Sequence, residues 1–85
     1  MLRSCEETLI ELDRDRLLQI ERAMGRSVTA SELQPVASLS ELKPEQLEVV
    51  KVLAVRQLVS ALDYMRAVVP SASSGELKRF INQYA

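Results

Sequence analysis

Residues 44–69 read PEQLEVVKVLAVRQLVSALDYMRAVV, a 26-residue stretch with no internal Gly or Pro. Pro44 suits the first position of a helix, where its missing N–H would have no intrahelical partner, and Glu45 and Glu48 place negative charge against the positive end of the helix dipole. Pro70 supplies the stop. Apolar residues recur with a period near 3.6, so the run VKVLAV reads as helix despite its β-branched content. At about 1.5 Å per residue, one continuous helix would be about 39 Å long. The expected architecture is therefore an all-α small helical bundle, with one long central helix flanked by an N-terminal helix and a short C-terminal helix.

The long stretch is apolar on more than one side. On a helical wheel its main apolar face runs through Leu47, Val50, Ala54, Leu58, Leu62, Met65 and Val69, with Val55, Ala61 and Val68 in the same arc. Lys51 falls inside that arc and must lead its ammonium outward along its methylene stem. Glu45, Glu48, Arg56, Asp63 and Arg66 form a broken polar stripe. Val49, Leu53, Gln57, Ser60 and Tyr64 form a second stripe beside it. The main face is expected to be covered from within the chain by Leu9, Leu12, Ile20, Phe80 and Ile81. The second stripe, Val49, Leu53, Gln57, Ser60 and Tyr64, is then the expected partner-binding surface, with Gln57 and Ser60 hydrogen-bonding across a two-fold axis in a dimer. The rival reading folds the connector over this stripe through Val36, Leu39 and Leu42 and leaves a monomer.

Working outward, residues 25–43 (GRSVTASELQPVASLSELK) form a connector. Thr29 with Glu32, and Ser38 with Glu41, have the spacing of a capping box, in which each side chain satisfies a free backbone N–H beside the other. A short turn near residues 30–34 and another before Pro44 are predicted. Upstream, residues 4–24 read as a helix, opened by the Ser4–Glu7 pair and ended by Gly25 in a left-handed conformation. Asp13 and Arg16 lie in its apolar stripe three residues apart, as a solvated pair or a register device. Downstream, Ser73 and Glu76 repeat the capping spacing. Leu77, Phe80, Ile81 and Tyr84 recur at i, i+3, i+4 and i+7, which predicts a short amphipathic helix over 75–84.

Eighty-five residues make one domain, residues 1–85, near the lower size limit for independent folding. With Phe80, Tyr64 and Tyr84 as the aromatic residues, the core must be aliphatic and offers few stacking platforms for bases. A net charge of −1 disfavours general nucleic-acid binding. The chain has no histidine and one cysteine, Cys5, so a zinc site, an imidazole base and an intrachain disulfide have no basis in the sequence. Cys5 reads as an unactivated thiol on an apolar helix face. Gly25 and Gly75 are the two glycines, and neither sits in a phosphate-binding or nucleophile-elbow pattern. Arg3, Glu6 and Glu7 interrupt the N-terminal stretch, which does not read as a signal peptide, and no apolar run is long enough to span a membrane.

These exclusions predict a cytoplasmic protein with no catalytic, cofactor or metal site. Two function classes follow. The first is a helical protein-interaction module, an adaptor, regulator or chaperone-like subunit, working as a homo-oligomer or with a protein partner. The second is a helix-turn-helix type DNA-binding regulator, whose C-terminal helix would present Lys78, Arg79, Asn82 and Gln83 to a major groove.

Overall fold

A computed structural model describes residues 14–85. The described residues form four helices and no strand: α1 Arg14–Met24, α2 Pro44–Arg56, α3 Leu58–Val68 and α4 Ser74–Asn82. A 3-10 turn, Leu39–Glu41, interrupts the connector. The all-α class is as predicted. The single central helix is not.

The stretch 44–69 breaks at Gln57, whose backbone is extended (φ −156°, ψ 96°). The Gln57 amide still donates to the Leu53 carbonyl, and the Gln57 carbonyl accepts from the Ala61 amide. No helical turn spans Gln57 itself, so the bonds that Leu58, Val59 and Ser60 would make to Ala54, Val55 and Arg56 in a continuous helix are absent. The chain changes direction there, and α2 and α3 become two walls of one core.

The buried positions give the reason. On α2 they are Gln46, Val49, Val50, Leu53 and Ala54; on α3 they are Ser60, Ala61, Tyr64, Met65 and Val68. Continued at 3.6 residues per turn, this face passes through position 57. An unbroken helix would point a glutamine amide into the middle of an aliphatic wall, and burying an amide without partners is costly. The break leaves Gln57 exposed.

The other elements close around this pair. Ile20 of α1 and Leu77 and Ile81 of α4 are buried against it, and α1 and α4 each contact both α2 and α3. Gly25 ends α1 with φ 78° and donates to the Glu21 carbonyl at 2.8 Å, the left-handed terminus its sequence position predicts. Arg56 reaches back from the end of α2 to the Ala23 carbonyl at 2.8 Å, satisfying one of the free carbonyls of α1. The Ser73–Glu76 capping box is formed, with Ser73 N–H to Glu76 Oε1 at 2.9 Å and Glu76 N–H to Ser73 Oγ at 3.2 Å. It starts the last helix at Ser74, one residue earlier than predicted, and the helix ends at Asn82 rather than at residue 84. The Ser4–Glu7 pair, Cys5, Leu9, Leu12 and Asp13 lie outside the described residues; Arg16 is exposed on α1.

Candidate functional site

The predicted partner-binding stripe is not on the surface. Val49, Leu53 and Tyr64 are fully buried, Ser60 is nearly so, and of the five residues Gln57 alone is exposed. The break at Gln57 turns the stripe inward, and the connector packs down through Val28, Leu33, Val36, Leu39 and Leu42 onto the same core. The stripe is covered as the rival reading anticipated. A helix apolar on two sides cannot announce which side the rest of the chain will reach.

The connector is held by polar groups as well as by packing. Gln46, fully buried on the first turn of α2, uses both ends of its side-chain amide. Its Oε1 accepts from the Lys43 amide at 2.9 Å, which caps the helix, and its Nε2 donates to the Gln34 carbonyl at 2.7 Å and, at 3.4 Å, to that of Glu32. The Tyr64 hydroxyl, from α3, also donates to the Glu32 carbonyl. The Val36 amide donates to the Val68 carbonyl at 2.7 Å, and Ser71 Oγ to the Ala37 carbonyl at 2.7 Å. Residues 32–37 are thereby fixed across the mouth of the α2–α3 corner.

Glu32 organises the near end of this latch. Its carboxylate takes a two-pronged contact from Arg26, at 3.0 and 2.8 Å, and accepts from the Thr29 amide at 2.9 Å. Its own amide donates to Thr29 Oγ1 at 3.2 Å, completing the predicted capping pair around a turn over residues 30–33. The Arg26 guanidinium, then the Thr29 bonds, hold the Glu32 carboxyl down to about 2 against an ordinary 4.5, although burial pulls the other way. Burial likewise pushes the Tyr64 phenol up, so its hydroxyl remains a donor.

A carboxyl depressed in the folded state stabilises that state above its unfolded pKa and loses the contribution as pH falls toward its folded pKa. The full linkage is about 3 kcal/mol; because Arg26 is 45% exposed and water screens the pair, we expect about 1–2 kcal/mol. Urea unfolding of wild type and Glu32→Gln should differ by that amount near pH 6, and the gap should close near pH 2. A gap unchanged across this range would show that the carboxylate charge is irrelevant to the latch.

A recess between the connector and the α3–α4 turn is bounded by Ser38, Ser40, Ser71 and Glu76. Ser38 and Ser40 bond each other, Ser71 bonds Ala37, and Glu76 caps α4, so no hydroxyl there is set against a base. Among the described residues no group of three acidic or thiol side chains could hold a metal ion, and no helix is long and apolar enough to cross a membrane.

Among the described residues the large hydrophobic side chains left exposed are Leu18, Val55 at 72%, Leu58 at 46% and Val59 at 63%. The last three flank Gln57, and Val55 and Leu58 belong to the arc that the sequence expects to be covered from within the chain. The half-buried Leu62 continues the row on α3. Leu58 and Leu62 also line a small groove against α4, whose other wall is Ile81, Lys78 and Asn82. The spacing of 55, 58, 59 and 62 was visible in the sequence; that the fold would leave it uncovered was not. Comparison with protein-family models, with curated proteins and with solved structures finds no match for this chain.

Proposed function

We propose that this chain is a small non-catalytic helical interaction module, an adaptor, regulator or chaperone-like subunit, working in the cytoplasm on a protein partner. The observation that carries the reading is the exposure of Val55, Leu58 and Val59 together at the α2–α3 corner, in a domain whose other large apolar side chains on α2, α3 and α4 are at least half-buried. Isolated exposed hydrophobes are ordinary, but three within five residues, with Leu58 also lining a groove, gather apolar surface of the kind found at contact sites. The site moves from the stripe Val49, Leu53, Gln57, Ser60 and Tyr64 to this neighbouring surface. Lys78 at the groove rim favours a partner with carboxylates beside its apolar contact.

The test is the double substitution Val55→Asp, Val59→Asp. Both side chains are exposed, so the thermal melt should stay within about 0.5 kcal/mol of wild type. Capture of the partner from the native cell lysate should fall at least tenfold. Undiminished capture by a folded double variant would remove the surface from consideration.

A second reading, DNA binding through α4, rests on Lys78, Arg79, Asn82 and Gln83 all being exposed. Against it stand the net charge of −1 and the nine-residue length of α4. A DNA shift assay decides it, because phosphate contacts impose a steep salt dependence.

A further inference from the structure

We infer that Gln57 is a hinge, and that this chain forms a dimer with a second copy of itself by opening there and exchanging halves. In the dimer, residues 44–68 of each copy run as one continuous helix, and α2 of one copy closes on α3 of the other. The inference is independent of the interaction surface proposed above.

Four observations carry it. First, the break has no local cause. The residues around it, LAVRQLVSA, contain neither Gly nor Pro, and glutamine is a good helix former, so local preference opposes the conformation adopted. Second, the corner forfeits the three backbone bonds from Leu58, Val59 and Ser60 to the preceding turn, which a continuous helix would restore. Third, Ser60 Oγ is buried and has no hydrogen-bond partner among the described residues. In a continuous helix the Arg56 carbonyl, four residues back, comes within reach of a serine hydroxyl at this position. The corner thus leaves a donor unsatisfied that the opened form satisfies.

Fourth, the contacts across the hinge can be transferred. Tyr64 to Glu32, Val68 to Val36 and Ser71 to Ala37 each join a group after Gln57 to a group before it. So do the α1–α3 and α2–α4 contacts. A single residue links the two halves, and a second copy can supply every one of these partners without a new kind of contact. Very short hinges invite this exchange, because the connecting residue rejoins a helix while the rest of the fold is reproduced. In the open form Gln57 returns to the buried face of the continuous helix, and the amide that a lone helix would bury without partners pairs with its symmetry mate near the two-fold axis.

The test is to refold wild type, Gln57→Ala and Gln57→Gly from denaturant at millimolar concentration, so that exchange reaches equilibrium, and to measure mass by light scattering. Gln57 is exposed in the monomer, so neither substitution disturbs the monomer's core, which far-UV CD checks. Helix preference at two hinges per dimer should make the dimerisation constant of Gln57→Ala larger than that of Gln57→Gly, by at most about 30-fold, because glycine also loses backbone freedom in the extended monomer hinge. Hydrogen exchange then reads the hinge: the amides of Leu58, Val59 and Ser60 should be protected at least 100-fold more in the dimer than in the monomer. A concentration-independent monomer in all three proteins would overturn the inference. So would a dimer whose 58–60 amides exchange as in the monomer, or a dimer fraction indifferent to residue 57. Either dimer result would leave the proposed interaction surface untouched, since that reading stands or falls with the Val55→Asp, Val59→Asp capture.

Discussion

Leu53→Asp should leave this chain without a cooperative unfolding transition. Leu53 is fully buried in the wall that α2 presents to α1, α3 and the connector. The substitution removes a packed leucine, at about 2–5 kcal/mol for the cavity alone, and sets a carboxyl among aliphatic neighbours with no basic side chain buried among the described residues. A chain of 85 residues has a total stability of about 4–13 kcal/mol, and the two terms together exceed the lower part of that range. Far-UV CD at low temperature should show most of the helix signal lost, and a heating scan should show no sigmoid. The contrast lies two residues away: Val55→Asp should melt like wild type, because Val55 is exposed. A folded Leu53→Asp protein with an ordinary melt would mean that the stripe Val49–Leu53–Tyr64 is surface after all.

Tyr64→Ala should be the next most damaging change, at about 3–5 kcal/mol, and Tyr64→Phe should recover most of the loss. Tyr64 is fully buried on α3 and joins two functions in one side chain. Its ring belongs to the core, and its hydroxyl holds the Glu32 carbonyl. Phenylalanine keeps the ring and removes only that bond, a loss of about 1 kcal/mol, since Gln46 Nε2 stays near the same carbonyl. Urea midpoints of the three proteins separate the terms. If Tyr64→Phe is as damaging as Tyr64→Ala, the hydroxyl and not the ring holds the connector down. If both are neutral, the connector is not latched by Tyr64 at all. Gln46→Leu should add to Tyr64→Phe by more than the sum of the two, because the pair leaves Glu32 without its α2 and α3 donors.

Much of this fold is legible in the sequence. Pro44 opening a helix, Gly25 closing one with positive φ, and the reciprocal bonds of Thr29 with Glu32 and Ser73 with Glu76 all follow from rules that act within four residues. So does the all-helical class, which needs only the 3.6-residue period. Such rules are legible because the groups that satisfy one another are neighbours along the chain.

Three features were settled at longer range, and each has the same cause. The break at Gln57 goes against local helix preference, because closing two apolar walls on one core outweighs three backbone bonds at the corner. The sequence held a trace of it: one glutamine in line with Leu53, Ser60 and Tyr64 on the face that became buried. The connector's descent onto α2 and α3 depends on Gln46 and Tyr64 meeting carbonyls 12 and 32 residues away. Which apolar face was left to water, Val55, Leu58 and Val59 rather than Val49, Leu53 and Tyr64, followed from that descent. Burial is awarded by whatever packs from elsewhere in the chain, and a helix that is apolar on two sides carries no record of which side that will be.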